Sequence, residues 1–334
     1  MVFRTLNTMN LHEKTAIRAV DLVKVYRQKS RHPVRALDKL NLEIGNGEIF
    51  GLLGRNGAGK TTLLRILTTL VQPTSGTAEV CGIDVVKEPY RVRQSICAVL
   101  QENAAEVFLS VLDNLSTYGR FHSIPRREIR ERAEMVMAQF GLEDYRNQKV
   151  IDLSGGLKRR VQVAKVFMVD KPVVFMDEAT TGMDPVNKRA TLDAIREHAR
   201  QGRTILLTTH MLQEAEELCD RIAIVDHGRC IATGDLQMIK SMVAKAYDIS
   251  VTFERMRPEI LETARKFPLL KISSSHNTIE LSVKGSDGSM FALLDALSKV
   301  EPIVHFEVTS ASLEDVFLEL LGNLGESTDE GGAL

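Results

Sequence analysis

The chain has 334 residues, a length that suggests one larger and one smaller domain rather than a single core. A hydrophobic content of 44% with 26% charged residues is typical of a globular protein and excludes a largely disordered one. The formal net charge of -1 gives no general attraction to nucleic acid, so we expect no nucleic-acid partner.

The cysteine pattern and the hydropathy pattern exclude further classes. The four cysteines are widely spaced and form no CxxC pair, so neither a disulfide framework nor a zinc site is indicated and a reducing, cytosolic location is expected. No uninterrupted apolar stretch approaches the ~20 residues that span a bilayer, and the N-terminus is polar rather than signal-like. A role at a membrane would therefore require another chain to supply the span.

The first part of the chain predicts strands that lead into a loop and a helix. Two strands are predicted over Ile17 to Val25 and Lys39 to Ile44. A short apolar strand, Ile49 to Leu53, runs into a glycine-rich loop, and a helix from Lys60 to Leu70 ends before Pro73. The predicted order is strand, loop, helix.

The loop reads Gly54-Arg55-Asn56-Gly57-Ala58-Gly59-Lys60-Thr61, which is typical of a phosphate-binding loop. Its glycines let backbone N–H groups converge on phosphate oxygens, and the following helix directs its positive dipole end to the same place. Lys60 would reach the β- and γ-phosphates, and the Thr61 hydroxyl would hold Mg²⁺. The predicted ATP-binding residues of this region are Gly54, Asn56, Gly57, Ala58, Gly59, Lys60, Thr61 and Thr62.

Residues from about Glu102 onward predict an inserted helical subdomain, about residues 102–168, with its most periodic part over Arg126 to Phe140. Within it, Leu153-Ser154-Gly155-Gly156, here called the signature segment, precedes a helix predicted over Leu157 to Val169. Ser154 fits an ordinary helix N-cap. The basic triplet Lys158-Arg159-Arg160 then places positive charge where the helix dipole disfavours it by ~0.3–1 kcal/mol each. This suggests a nearby anion, although a solvated basic face would give the same pattern.

Two acids, Asp177 and Glu178, end the apolar strand Val173 to Met176. Acids often end strands at a solvated turn, but ligands of open α/β sheets bind outside the carboxyl ends of the strands, and the phosphate loop marks that edge. Because adjacent strand residues face opposite ways, one acid can hold a metal while the other approaches water. We assign Asp177 to Mg²⁺ and Glu178 to the general base.

Three further polar residues lie at strand ends. His210 follows the strand Thr204 to Thr209, and Gln101 follows the apolar residues 98–100. From the residues alone, His210 is as readily structural as catalytic, and a glutamine at this place is unremarkable. Tyr26 ends the first strand, where it fits a half-buried core position better than a base-stacking one.

The order of the remaining elements predicts the fold class. A helix over Val186 to Gln201, the strand after it, and a hairpin over Arg221 to Val225 and Arg229 to Ala232 complete an alternation of strands and helices. Such alternation predicts an α/β fold with a mainly parallel sheet covered on both faces. Together with the phosphate loop, we expect a P-loop fold that also has an antiparallel β part.

After Lys245 the residue pattern changes to that of short strands with alternating apolar and polar residues. The predicted elements are strands over Asp248 to Phe253, Leu270 to Ser274, Thr278 to Val283 and Ile303 to Thr309, and helices over Pro258 to Lys266 and Ser289 to Lys299. Their order, βαββαβ, is that of a small α+β ferredoxin-like domain. An amphipathic helix over Leu313 to Leu320 follows. The predicted divisions are an extension at residues 1–15, an ATPase domain at 16–243, an accessory domain at 244–322 and a disordered tail at 323–334.

Taken together, these motifs resemble the nucleotide-binding subunit of ATP-binding-cassette (ABC) transporters over about Ile17 to Met242. The motifs that carry the resemblance are Tyr26, the phosphate loop, Gln101, the signature segment, Val173 to Glu178, Met183-Asp184 and His210. In that family two subunits sandwich two ATP molecules head to tail, so the resemblance implies a homodimer in the ATP state.

The resemblance also implies a role for each matching residue. Ser154, Gly155 and Gly156 would contact the ATP of the opposite subunit, and Asp184 would couple the two sites. His210 would contact the γ-phosphate. Gln101 would link Mg²⁺ to the transport partner. Tyr26 would stack on adenine.

Two segments are similar to the exporter branch typified by daunorubicin/doxorubicin-resistance ATPases, which serve ABC-2-type permeases: Leu157-Lys158-Arg159-Arg160 and Ala311 to Leu318. This implies an integral-membrane permease as partner and a peripheral place on the cytoplasmic face of the membrane. Leu157 departs from the glutamine common in the family, and the loop before Asp184 reads Thr181-Gly182-Met183.

Three functions are compatible with these motifs. The first is an exporter ATPase. The second is a cassette ATPase acting in nucleic-acid, ribosome or cofactor-assembly processes, but this chain has one cassette and neither a zinc module nor a long coiled coil. The third is a nucleotide-gated module without turnover, in which Glu178 would be superfluous.

The accessory domain fits either a dimer clamp or a regulator.

Overall fold

The structure is a computed structural model that describes residues 15–28, 31–100, 105–242, 246–284 and 287–310, with residues 313, 314, 316, 317 and 320 beyond them. It divides into two compact units, one ending at Thr233 and the other beginning at Gly234. The predicted boundary after residue 243 falls later than this division. Residues 1–14 of the predicted extension and the whole predicted tail lie outside the described residues.

The first unit contains two sheets and a set of helices. The strands are β1 (Thr15–Gln28), β2 (Arg31–Gly45), β3 (Ile49–Leu53), β4 (Ser75–Val80), β5 (Ile83–Asp84), β6 (Ile96–Val99), β7 (Val173–Asp177), β8 (Thr204–Thr209), β9 (Arg221–Asp226) and β10 (Arg229–Asp235). The helices are α1 (Lys60–Leu67), α2 (Pro89–Ser95), α3 (Val111–Phe121), α4 (Arg126–Gln139), α5 (Gly155–Val166), α6 (Pro185–Arg200) and α7 (Leu212–Leu218).

The main sheet has six strands in the order β10-β9-β3-β8-β7-β6. The pairs β3–β8, β3–β9, β7–β8 and β6–β7 are parallel. Every residue of β3, β7 and β8 is buried, as expected of parallel strands covered on both faces. The predicted α/β class is therefore confirmed. Because these strands run the same way, the carboxyl ends of β3, β8, β7 and β6 meet side by side at one edge of the sheet.

The second sheet of this unit is antiparallel, in the order β2-β1-β4-β5. Strand β2 begins at Arg31, eight residues before the predicted start at Lys39. The first half of β2 was not predicted because it forms an exposed two-stranded ribbon with β1. In this ribbon Tyr26 pairs with Val34, and Val34 is 61% exposed. A ribbon without a buried face leaves no alternation in the sequence.

The predicted helical insert consists of α3, α4 and α5 in the structure. Helix α3 begins at a serine cap, in which the Ser110 hydroxyl accepts a hydrogen bond from the Asp113 N–H at 3.1 Å. The inner faces of α3 and α4 bury Val111, Leu115, Ile129 and Ala133. Helix α5 joins the insert to the rest of the unit, and its middle and end are buried.

A buried histidine lies where α6 meets the end of α5. His198 is 4% exposed, and its ring stacks on Phe167 with centroids 4.1 Å apart and 11° between the planes. Burial, followed by the positive charge of Arg203, lowers the pKa of His198 to about 4, while Asp170 acts in the opposite direction. His198 is therefore a neutral core side chain at neutral pH.

Replacing His198 by Phe should flatten the acid dependence of stability. The unfolded chain takes up a proton below its ordinary histidine pKa of 6.5, whereas folded His198 does so only near pH 4, so this residue lowers stability as pH falls through that window. The free energy of unfolding should fall by about 2 kcal/mol more in the wild type than in H198F between pH 7 and 4.5. Urea titrations at both pH values measure this, and equal losses would contradict it.

The second unit contains one antiparallel sheet. Its elements are α8 (Leu236–Met242), β11 (Ala246–Phe253), α9 (Pro258–Ala264), β12 (Leu269–Ser275), β13 (Thr278–Lys284), α10 (Asp287–Ser298) and β14 (Ile303–Ser310). The strand order is β12-β13-β11-β14, and each neighbouring pair is antiparallel.

The core of the second unit lies between one face of this sheet and the helices α9 and α10. It includes Ile249, Val251, Leu281, Ile260 and Leu293. From β11 to β14 the element order is the βαββαβ that the sequence predicts; the name ferredoxin-like stays a prediction. Within the predicted last helix, which lies partly outside the described residues, Leu313 and Val316 are buried.

No helix in the described part of the chain has the length and hydropathy needed to cross a membrane.

Candidate nucleotide site

The phosphate loop connects β3 to α1, and its shape depends on glycine. Gly57 and Gly59 have left-handed backbones, with φ of 84° and 109°. A Cβ at Gly59 would lie 2.5 Å from the Ala36 carbonyl oxygen, and one at Gly54 would collide with the Val225 carbonyl. The loop is therefore packed against β2 and β9, and this packing constrains its backbone.

Replacing Gly59 by Ala should lower ATP affinity at least about tenfold, because the new methyl group must displace the loop from Ala36. Gly202→Ala is the matched control. Gly202 also has a positive φ, of 92°, but a Cβ there meets no described atom within 4 Å. Titration of a fluorescent ATP analogue measures both affinities, and an unchanged Kd in G59A would contradict the expected loss.

Lys60 is held inside the loop. Its side chain is 6% exposed, and Nζ donates to the carbonyl oxygens of Gly54 at 2.7 Å and Arg55 at 3.1 Å. Burial lowers the pKa of Lys60, and the carboxylates of Glu178 and Asp177 oppose that shift. An ammonium kept in this position is suited to contact phosphate oxygens at the loop.

Asp177 lies beneath the loop and contacts it through Thr61. The side chain is 1% exposed; Oδ2 accepts from the Thr61 hydroxyl at 3.0 Å, and Oδ1 accepts from the Thr208 hydroxyl at 2.5 Å. Thr208 was not among the residues predicted for the site. The signal was its place at the end of β8, the strand between β3 and β7.

Glu178 leaves the strand in a left-handed turn, with φ of 51°. Strand alternation predicts that the two acids face opposite ways, but Asp177 is the last residue of β7 and the turn at Glu178 separates the carboxylates instead. The Glu178 Oε1 atom lies 3.3 Å from His210 Nδ1, and the His210 side chain is half-exposed. The predicted base and the predicted γ-phosphate contact are therefore adjacent.

A cleft of about 370 Å³ brings these residues together. Its lining consists of Ala36, Asn56, Gly57, Ala58, Gly59, Lys60, Thr61, Thr62, Glu178 and His210. Tyr26 does not belong to that lining; its ring has the Lys24 ammonium 5.1 Å from its centroid. Ala36 is the lining residue that the sequence analysis did not anticipate.

The oxygen donors at the cleft fit Mg²⁺. Thr61 and Asp177 offer a hydroxyl and a carboxylate whose oxygens lie 3.0 Å apart. Mg²⁺ commonly keeps several waters and binds one or two protein oxygens plus substrate phosphates, so these two oxygen donors suit it. Gln101, the other predicted metal contact, lies outside the described residues.

The signature segment forms the start of α5. Ser154 is its N-cap, as predicted, accepting from the Leu157 N–H at 3.3 Å. Ser154 and Gly155 are exposed, whereas the Leu157 side chain is turned inward and 9% exposed. A Cβ at Gly156 would lie 3.3 Å from Met183 Cα, so this segment packs on the loop before Asp184. The described lining of the cleft contains no residue of the signature segment.

Two basic residues of α5, Arg159 and Arg160, bind main-chain oxygens. Arg160 Nη1 donates to the carbonyls of Phe140 at 3.2 Å and Gly141 at 3.3 Å, and Arg159 donates to carbonyls at the ends of β6 and β7. Backbone carbonyls therefore occupy the positions for which the sequence suggested an anion or bulk water.

Asp184 caps α6. Its side chain accepts from the Asn187 N–H at 3.0 Å and from the Asn187 amide, and these hydrogen bonds lower the pKa of Asp184. The cap gives Asp184 a structural role in its own chain, independent of the predicted coupling between two sites.

A phosphate loop on β3, a buried acid beneath it, and a second acid beside a histidine define the cassette of a P-loop ATPase. The comparisons agree, since a family model described as ABC transporter matches residues 37–181. The daunorubicin/doxorubicin resistance ATP-binding protein DrrA of Streptomyces peucetius is 35% identical over 330 residues, which cover 96% of this chain and 98% of that protein.

Two further similarities have the same pattern. The Nod factor export ATP-binding protein I of Cupriavidus metallidurans is 40% identical over 286 residues, covering 86% of this chain and 92% of that protein. Among solved structures, a dimeric ATP-binding cassette in a post-hydrolysis state with ADP and Pi has a TM-score of 0.61 at 25% identity, covering 66% of this chain and 98% of that one. The chain belongs to the ABC transporter family as one of its ATP-binding ATPases, which confirms the predicted resemblance.

Proposed function

We propose that this chain is the ATP-hydrolysing subunit of an exporter and that it energises a separate ABC-2-type membrane permease. Similarity to proteins named for drug resistance and for Nod factor export supports the export direction. The proposed place is the cytoplasmic face of the membrane, reached through the permease.

One observation carries the proposal: the residues proposed for hydrolysis lie at or beside the cleft, while Ser154 and Gly155 of the signature segment are exposed outside its lining. Ser154 and Gly155 begin a helix whose N-terminus suits an anion, and a Cβ at Gly155 would meet no described atom within 4 Å. A second copy docked head to tail would bring this helix end to the ATP held by the first. We infer that ATP closes such a homodimer and that hydrolysis reopens it.

Within one closed site each residue would have a distinct task. Lys60 and the loop N–H groups would bind the phosphates, Thr61 and Asp177 would hold Mg²⁺, and Glu178 would take a proton from the attacking water. Mg²⁺ would supply neutralisation of the charge that develops on the phosphate oxygens.

The neighbouring residues would orient the nucleotide and its partners. His210, beside Glu178, would contact the γ-phosphate. Tyr26 would stack on adenine, and the Lys24 ammonium would lie beside the same ring. Gln101 would connect Mg²⁺ to the permease, and Asp184 would couple the two sites.

The helical insert is the proposed permease contact. Two of its aromatic side chains are exposed: Phe108 by 74% and Phe121 by 83%. Large exposed aromatic residues are characteristic of protein interfaces. ATP-driven movement of α5 and its neighbours would pass through this surface to the membrane protein.

Photo-crosslinking in cells tests this proposal. A photoreactive amino acid placed at Phe108 should crosslink to an integral membrane protein that has several membrane-spanning segments, as a permease does. The same probe at Leu70, which is 60% exposed and lies outside the insert, should not crosslink to that protein. The captured protein should raise ATP turnover of the purified chain when both are reconstituted. Equal labelling from both positions, or no effect of the captured protein on turnover, would contradict the assignment.

A further inference from the structure

We propose that Arg159 is a positioning residue for Glu178, and that it connects the helix of the signature segment to the hydrolytic end of its own chain. This inference rests on the proposed function, because it takes Glu178 as the base and the signature segment as a contact made to a second copy.

Arg159 spans from α5 to the ends of two sheet strands. Its Nη2 donates to the carbonyl of Asp177 at 2.5 Å and to that of Glu178 at 3.1 Å, while Nη1 donates to the Leu100 carbonyl at 3.4 Å. Nη1 also donates to Gln162 Oε1 at 2.8 Å, one turn along the same helix. A planar guanidinium can make several such bonds at once, whereas an ammonium cannot reproduce their geometry.

These bonds fall on the backbone that places the base. A φ of 51° is sterically disfavoured for a residue other than glycine, so Glu178 keeps it only where its surroundings fix it. The peptide unit from Asp177 to Glu178 is held on its carbonyl side by Arg159. On its N–H side it is held by the Thr208 carbonyl and hydroxyl, both at 3.1 Å.

The next peptide unit is held in the same way. The Glu178 carbonyl accepts from Arg159 and from the Thr181 N–H at 3.2 Å. Removing Arg159 would leave the left-handed turn with Thr208 and Thr181 as its remaining anchors. The carboxylate would then lose its fixed position beside His210.

The position of Arg159 on α5 gives this support a second consequence. The exposed N-terminus of α5 is proposed to contact the ATP of the partner, and Arg159 lies on the next turn of the same helix. A shift of α5 when the dimer closes would reach the backbone of Glu178 through Arg159. Arg159 therefore couples closure of the site that holds the partner's ATP to the placement of Glu178 in its own chain.

The test compares Arg159→Gln, Arg159→Lys and Arg196→Gln in the full chain. R159Q should lower kcat for ATP by about ten- to a hundredfold, because charged hydrogen bonds to the turn are lost, and leave the Kd of a fluorescent ATP analogue within about twofold. R159K should fall between R159Q and the wild type. R196Q is the matched control: Arg196 also donates to a backbone carbonyl, that of Glu217, away from the cleft.

The outcomes separate positioning from general stability. A kcat in R159Q within twofold of the wild type, or an equal loss in R196Q, overturns the inference, as does a loss of ATP affinity equal to the loss of kcat. If R159Q does not fold, the same comparison is made with R159K, for which a normal kcat overturns it. A wild-type chain without ATP turnover overturns the proposed function itself, whereas normal turnover in both wild type and R159Q overturns this inference alone.

Discussion

Replacing Glu178 by Gln is expected to lower ATP turnover by about a hundred- to ten-thousandfold, the range that general-base catalysis contributes. An amide of the same shape occupies the place beside His210 but accepts no proton from water. ATP affinity should stay within about twofold, because the phosphate loop and Lys60 are untouched. Phosphate release and titration of a fluorescent ATP analogue measure the two quantities.

Glu197→Gln is the control for this substitution. Glu197 is an exposed carboxylate on α6 that lies 3.6 Å from Arg200, so its loss removes an equal charge without touching the cleft. Its turnover should match the wild type. Full activity in E178Q would remove Glu178 from the role of base.

Replacing Ser154 by Arg should abolish turnover almost as fully, by about a hundredfold or more, while a single chain still binds ATP. The physical reason is that a long side chain at the exposed start of α5 would prevent its N-terminus from approaching a partner's phosphates. The change also removes an N-cap, which costs about 1 kcal/mol. Steady-state turnover and equilibrium ATP binding are measured on the same preparation.

Ser110→Arg separates these two effects. Ser110 is likewise a serine N-cap, on α3, and accepts from the Asp113 N–H. S110R should lose comparable stability and keep ATP turnover in the isolated chain. Equal turnover losses in S110R and S154R would show that the cap, and not a contact to a second copy, explains the result.

The sequence predicted the cassette well, because its elements carry local signals. The strands β3, β7 and β8 are continuous apolar runs, and a glycine loop or a polar residue follows each of them. Parallel order then places Lys60, Glu178 and His210 at one cleft. The exposed half of β2 was not predicted, since it has no buried face. Helix α7 was not predicted either, because it is only seven residues long and its buried face includes Glu214 beside Ala215 and Leu218, so the sequence shows no apolar period there.

The finer geometry of the site was beyond prediction for a different reason. The left-handed backbone of Glu178 and the bonds of Arg159 depend on residues far apart in the sequence, such as Thr208 and Leu100. The secondary-structure propensities of neighbouring residues do not reveal contacts between residues this far apart. The triplet Lys158-Arg159-Arg160 suggested either a nearby anion or a solvated basic face, whereas Arg159 and Arg160 bind backbone carbonyls.

We propose that a second copy of the chain completes the site. Light scattering of E178Q with and without ATP measures whether two chains associate around the nucleotide. We predict that ATP doubles the mass and that the double variant E178Q/S154R stays a monomer while binding ATP. A mass that ATP leaves unchanged, together with wild-type turnover per chain that does not vary with protein concentration, would contradict completion of the site by a second copy.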